Sequence, residues 1–271
     1  EMHVLARGGD HHRKRLGDEM SLPDPYYHEG GITLYHGDAQ EILFYLDPVD
    51  MIFTDPPYGH NNNDGDLIHN WEKALGMATE KPAEARPIIN DGREEASKLV
   101  QWLFQQADWK LRPGGCLCCC CGGGGQDPQF ARWSLWMDEV LDFKQMVVWD
   151  KGPIGMGWHY RRSYETILVG QKRGGSCKWY DTTDRIENII RHIPKIIPQA
   201  DDHPTSKPVE LAMWFIALHT QPGEVILDPF MGGGSTAEAC KRLGRRFIGI
   251  ELEQRWIEQA ERRLAQEVLR L

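Results

Sequence analysis

A chain of 271 residues with a formal charge of -9 is long enough to bury a substantial core as one large α/β domain or two small ones. Its acidity argues against broad nonspecific adhesion to nucleic acid, which needs clustered Lys and Arg, although Arg161-Arg162, Lys172-Arg173 and the pair Arg191 and Lys195 could line a local basic groove. No run of about eighteen apolar residues exists and the first residues lack signal-peptide order, so a soluble, cytoplasmic protein without a membrane partner is expected.

Residues 1 to 20 mix Gly8-Gly9, His11-His12 and Arg13-Lys14-Arg15 with no apolar period and are expected to form a flexible extension. Residues 21 to 271 are read as a single domain. Ile32-Thr33-Leu34-Tyr35-His36 alternates as a strand and breaks at Gly37-Asp38. Ile42, Leu43 and Leu46 then mark a short helix, and Asp38 either caps it or faces a ligand from the strand's carboxyl end. The apolar run 49 to 54 stops at Asp55-Pro56-Pro57-Tyr58, because the two prolines cannot continue a ladder. Ligands gather at such carboxyl edges in open α/β sheets. The Asp55 carboxylate and the Pro56 carbonyl are both acceptors, the Pro-Pro pair stiffens their backbone, and Tyr58 offers a flat face. This set suits a planar group carrying an exocyclic NH2, although four such residues alone also make a plain strand-to-turn corner. The polar stretch 59 to 92, opening with His60-Asn61-Asn62-Asn63, is either a loop that closes over substrate or a linker.

Leu99, Leu103 and Ala107 recur at helical spacing over 94 to 111, with Pro113-Gly114-Gly115 read as the stop. Five of the seven cysteines follow, Cys116 and Cys118 to Cys121. Strand alternation sends 116, 118 and 120 to one face and 119 and 121 to the other, so the Cys118-x-x-Cys121 pair points apart. Reduced, buried core thiols are expected and no metal. The tetraglycine 122 to 125 lacks a phosphate-loop pattern and reads as a close-approach turn. Asp127-Pro128 is read as a cap and first residue of a helix presenting Phe130, Ser134, Met137 and Leu141 on one face. Met146-Val147-Val148-Trp149 and residues 164 to 169 are strands. The loop between them carries Trp158, His159, Tyr160, Arg161 and Arg162, a mixture suited to an extruded base and its phosphates. Residues 171 to 202 are irregular and carry Lys, Arg and several prolines, with Lys172 and Arg173 at their start. His203-Pro204-Thr205-Ser206-Lys207-Pro208 precedes a helix in which Pro208 can take the first position. Val225-Ile226-Leu227-Asp228 runs into Pro229-Phe230-Met231-Gly232-Gly233-Gly234-Ser235-Thr236, then a helix closed by Gly244, then a strand ending at Glu251. This is a nucleotide-binding half, in which glycines admit the ligand close to the backbone and Glu251 can accept both ribose hydroxyls. A last helix carries Trp256, Ile257, Ala260 and Leu264.

Asp55-Pro56-Pro57-Tyr58 closely resembles the catalytic motif of amino-group DNA methyltransferases, and Phe230-x-Gly232-x-Gly234 after Asp228-Pro229 resembles their S-adenosylmethionine motif. The order catalytic, recognition segment, cofactor is that of the beta class, a circular permutation of the gamma arrangement, and the resemblance covers about residues 31 to 265. It implies a Rossmann-like α/β fold, a mostly parallel seven-stranded sheet with helices on both faces. It implies that Asp38 faces the cofactor adenine, that His203, Thr205 and Lys207 line its methionine end, and that Asp228, Phe230, Gly232, Gly234, Ser235, Thr236 and Glu251 complete that site. DNA is the implied partner, met by His60, Asn61, Trp158, His159, Arg161, Arg162, Lys172 and Arg173, with a short recognition segment at 171 to 202. The implied chemistry needs no nucleophilic cysteine. Tyr58 stacks on a flipped base while Asp55 and the Pro56 carbonyl accept from its amine and turn the nitrogen lone pair toward the methyl donor. In the family, Asp at the first position goes with adenine N6 and Ser with cytosine N4, so adenine is the preferred target and cytosine the alternative. Two rivals stand beside this. Gly232-x-Gly234-x-x-Ala237 with Glu251 also fits the dinucleotide fingerprint of a hydride-transfer enzyme, and a silent DNA-binding module could keep the fold. Pairing of two chains and a partner nuclease are left open.

Overall fold

The computed structural model describes residues 21–59, 89, 91–122, 128–153, 159–196 and 206–266. The expected extension 1 to 20, nearly all of the loop 59 to 92, most of the tetraglycine, Asp127 and the segment around His203 lie outside the described residues. Among the described residues nine strands form one sheet: β1 (Tyr27–Glu29), β2 (Ile32–His36), β3 (Val49–Thr54), β4 (Leu111–Cys121), β5 (Asp142–Asp150), β6 (Tyr164–Gln171), β7 (Ile189–Ile190), β8 (Val225–Asp228) and β9 (Arg246–Glu251). Their order is β1-β2-β9-β8-β3-β4-β6-β5-β7. Neighbours from β2 through β4 are parallel, whereas β1 on β2, β6 on β4 and β5 on β6 are antiparallel. The mostly parallel α/β expectation holds, but the strand number is nine rather than seven. The additional edge strands β1 and β7 are three and two residues long, too short to show a hydrophobic period.

Helices cover both faces, because β3, β4 and β6 send alternate side chains to opposite sides. Met51, Phe53, Cys116, Cys118, Cys120, Ile167 and Val169 pack with α4 (Val209–His219), α5 (Ser235–Leu243) and α6 (Gln254–Ala265). Ile52, Leu117, Cys119, Cys121 and Leu168 pack with α1 (Ala39–Ile42), α2 (Arg93–Lys110) and α3 (Gln129–Val140). The expected split of the cysteines is therefore observed, as is the buried stripe Leu99, Leu103 and Ala107 and that of Trp256, Ile257, Ala260 and Leu264.

Three local expectations are corrected. The helix α2 ends at Lys110 and β4 begins at once, so Pro113-Gly114-Gly115 is a bulge inside the strand and not a helix stop. The register jumps from Val49 opposite Leu111 to Met51 opposite Cys116, and Gly114 takes φ of 81° within the jump, a conformation that favours glycine. Pro128 and Pro208 occupy cap positions, with helices starting one residue later at Gln129 and Val209. On α3 the buried residues are Trp133 and Met137, while Phe130 is exposed.

From β3 the chain crosses through α2 to β4, and from β8 through α5 to β9 on the other side and over the other face. The adjacent strands β3 and β8 thus flank the point where the winding reverses, and the crevice opens beyond their carboxyl ends.

Candidate active site

The tips of β3 and β8 are locked together by one buried carboxylate. Asp228 accepts from Thr54 Oγ1 at 2.7 Å, from Thr236 Oγ1 at 2.7 Å and from the Phe230 backbone N–H at 3.1 Å. Burial pushes its carboxyl up to about 6 in spite of these donors. Asp228 and Thr236 hold the Gly-rich turn to the strand end. That turn tolerates no side chain at Gly234, where φ is 81° and an added Cβ would lie 2.6 Å from the Ala260 Cβ.

Asp55 stands one residue beyond β3. Its Oδ1 accepts from the Tyr58 hydroxyl at 2.5 Å and its Oδ2 from Lys207 Nζ at 2.5 Å. The same ammonium lies 3.3 Å from Glu165 Oε2 and 5.2 Å from the centre of the Tyr58 ring, and Glu165 is paired to Lys151 at 2.8 Å. Two carboxylates and two ammonium groups form one chain of charge at the strand tips. Burial raises Asp55 against the pull of Lys207. Glu165, although burial opposes its charge, is drawn down to about 2 by Lys207 and Lys151. The Tyr58 phenol is pushed well up by burial and by Asp55, so it remains a hydrogen-bond donor. Its ring meets Trp133 edge-on at 6.2 Å, its carbonyl accepts from Gln129 Nε2 at 2.5 Å, and the next backbone N–H, of Gly59, donates to the buried Asp91 at 2.7 Å. The tetrapeptide is thus clamped on one side by α3 and on the other by Asp91, two residues before α2.

A cleft of about 870 Å³, open mouth included, runs from Asp55-Pro56-Pro57-Tyr58 across Phe230 and Gly232 to Asp38, Glu251 and Trp256. A smaller cavity of about 400 Å³ adjoins it, sharing Asp55, Lys207, Phe230 and Gly232 and adding Asp228, Ser235 and Thr236. Glu251 accepts from the backbone N–H groups of Gly232 at 2.8 Å and Glu253 at 2.7 Å, and burial pushes it up to about 7. Asp38 accepts from Gln40 N at 2.8 Å as a helix cap and also lines the cleft.

The structure therefore brings together Asp38, Asp55, Pro56, Pro57, Tyr58, Lys207, Asp228, Phe230, Gly232, Ser235, Thr236 and Glu251, with Gly234 behind the turn. Lys207, expected beside the cofactor alone, is bonded to the Asp55 carboxylate. His60, Asn61, Trp158, His203 and Thr205 lie outside the described residues. The exposed His159 and Arg161 and the half-buried Arg162 sit between β5 and β6, and Asp150 pairs with Tyr164 at the carboxyl edge that carries Asp55. Lys172 and Arg173 do not join them. Because β6 runs antiparallel, they emerge at the opposite edge. There Lys172 Nζ donates to the Asp108 carbonyl, and Arg173 donates to the carbonyls of Asp138, Glu139 and Leu141. Sequence reasoning missed Glu165, whose only signal was an acid inside an apolar strand, and Asp91, Gln129 and Trp133, which carried none.

A family model described as DNA methylase matches residues 49–262. Type II methyltransferase M2.DpnII of Streptococcus pneumoniae is 28% identical over 274 residues, covering 91% of this chain and 94% of that protein. Type II methyltransferase M.HhaII of Haemophilus parahaemolyticus is 38% identical over 213 residues, with 78% and 86% covered. DNA adenine methyltransferase YhdJ of Escherichia coli K12 is 25% identical, with 86% and 82% covered. Among solved structures, that of the M1.HpyAVI–SAM complex superimposes with a TM-score of 0.63 at 27% identity, covering 87% of this chain and 100% of the other.

Proposed function

This chain belongs to the DNA methylase family, and from that premise we propose that it is a site-specific DNA methyltransferase acting on the exocyclic N6 of adenine in a flipped base. The cofactor is S-adenosylmethionine, which when bound supplies an electrophilic methyl group on its sulfonium. The cleft suits that molecule. Glu251 and Asp38 offer carboxylate oxygens to hydroxyl and amino donors, Phe230, Ile250 and Trp256 offer apolar walls, and the Gly-rich turn leads from Glu251 toward Asp55. Glu251 would hold the ribose, Asp38 the adenine, and Ser235, Thr236 and Lys207 the amino-acid end.

The observation that carries the reading is the Asp55 carboxylate, fixed by Tyr58 and Lys207 on two different oxygens while opening into the same cleft as Glu251. Each oxygen keeps a further lone pair, so Asp55 and the Pro56 carbonyl can accept both protons of an aromatic amine. That fixes the direction of the nitrogen lone pair, and positioning with charge stabilisation then supplies the catalysis. An amine that takes the methyl group, with the sulfonium leaving as a neutral thioether, would have to release one proton, and Asp55, raised by burial, would be the base in hydrogen-bond reach. Extruding the base costs about a few kcal/mol; the Tyr58 ring offers a face to receive it. Adenine is favoured over cytosine by Asp at position 55 and by the adenine activity in the name of the relative YhdJ.

The test is incubation with unmethylated genomic DNA and labelled S-adenosylmethionine, followed by nucleoside mass spectrometry and single-molecule sequencing. N6-methyladenine in one sequence context is expected. N4-methylcytosine would overturn the base assignment, and absence of S-adenosylmethionine binding would favour the dinucleotide alternative. An Asp55→Ala enzyme with full turnover would remove the mechanism.

A further inference from the structure

The cysteine-rich strand acquires a partner that its sequence did not announce. Cys116 and Cys118, two positions apart on β4 and therefore on one face, meet His219, the last residue of α4, and their two sulfurs and an imidazole nitrogen lie within 4.8 Å of one another. All three are more than nine-tenths buried, at 3%, 0% and 6% exposure. His219 Nδ1 is buried and has no hydrogen-bond partner among the described residues, an arrangement that costs about 1–3 kcal/mol when nothing fills it. The cluster lies away from the catalytic edge. Cys116 is opposite Met51 and Cys118 opposite Phe53, whereas Asp55 follows the end of that strand.

We propose that Cys116, Cys118 and His219 form a structural site for a thiolate-seeking d10 cation, Zn2+, with Cys177 as the fourth ligand. Cys177 is exposed and stands two residues before Trp179, whose ring meets the His219 imidazole edge-on at 5.2 Å, so it gives both a closing ligand and an entry path from solvent. Tetrahedral zinc with Zn–S of about 2.3 Å and Zn–N of about 2.0 Å separates its ligand atoms by about 3.5–3.8 Å, a spacing that three atoms within 4.8 Å reach by small side-chain rotations. Two residues two apart on a strand have Cα atoms about 6.6 Å apart, near the upper limit for a disulfide. A shared ion therefore satisfies the pair better than an S–S bond. The segment carrying Cys177 is already joined to both other elements, by Tyr180 N–H to the Leu218 carbonyl at 2.9 Å and Lys178 N–H to the Gly114 carbonyl at 3.4 Å. The cation would staple β4, the end of α4 and this segment, and does not depend on the methyl-transfer reading.

The test uses the full chain, reduced and stripped with a chelator, titrated with Co2+ as a spectroscopic probe and then with Zn2+. The expected result is a thiolate-to-cobalt charge-transfer band that saturates at one equivalent, is displaced by Zn2+, and disappears in Cys116→Ala and His219→Gln. Cys119→Ala and Cys121→Ala, altered on the opposite face, should retain it. Zn2+ at about a hundredfold above Kd should raise Tm by at least about 5 °C in the unaltered protein. No band in the folded, unaltered protein would overturn the proposal without recourse to any variant. So would a band that survives both Cys116→Ala and His219→Gln.

Discussion

The buried acid at the tip of β9 gives a sharp quantitative expectation. Glu251 titrates near 7 in the free protein because burial disfavours its charge. A ribose diol donates to the carboxylate and gains little from the protonated acid, so binding selects the ionised form. The ionised fraction is about one eleventh at pH 6 and ten elevenths at pH 8, so Kd should be about tenfold weaker at pH 6. The suitable ligand is 5′-methylthioadenosine, which keeps the nucleoside but lacks the titrating amino-acid tail, and the assay is calorimetric titration across that range. Glu251→Gln should bind about 10- to 100-fold more weakly at pH 8, the value of hydrogen bonds to a charged group, with a flat pH profile. The same acid sets ligand-free stability. Its folded-state value lies above its unfolded one, so the native state holds more protons and stability falls as pH rises from about 4.5 to 7. A shift from 4.5 to about 7 corresponds to about 3 kcal/mol, visible by urea unfolding as a difference between the unaltered protein and Glu251→Gln. A flat Kd in the unaltered protein, or an equal slope in Glu251→Gln, would refute the reasoning.

Other consequences concern the clamp, the turn and the edge that carries Arg161 and Arg162. Lys207→Met leaves Asp55 and Glu165 without their shared cation and should cost about 3 kcal/mol of stability; adding Glu165→Gln should recover part of it, and a purely additive double variant would show that the two carboxylates are not coupled. Gly234→Ala must adopt φ of 81° and push its Cβ to 2.6 Å from Ala260, so a loss of about 2–4 kcal/mol is expected, and an unchanged denaturation midpoint would contradict the turn geometry. Arg161→Ala with Arg162→Ala should weaken DNA binding and lower its salt slope by about two. Lys172→Ala with Arg173→Ala, at the far edge, should leave that slope unchanged; the reverse pattern in filter-binding assays would place DNA on the other side of the sheet.

Much of this was legible in the chain because its signals are local. A hydrophobic run that ends at Asp55-Pro56-Pro57-Tyr58, a Gly-rich turn in which Gly234 takes φ of 81°, and an alternation that parts Cys118 from Cys121 depend on neighbours within a few residues. The sequence by itself determined the parallel α/β units, the placing of Asp55-Pro56-Pro57-Tyr58 at a strand tip and the glycine turn. The tertiary structure decided what meets across long separations: Lys207 with Asp55, Thr54 with Asp228, and Glu165 with two lysines. It decided that Lys172 and Arg173 face away from the crevice, since one antiparallel strand reverses which end of β6 reaches the catalytic edge. It also brought His219 to Cys116 and Cys118. Strand period records which face a residue takes, whereas the identity of the residue it meets there depends on the order in which strands and helices pack.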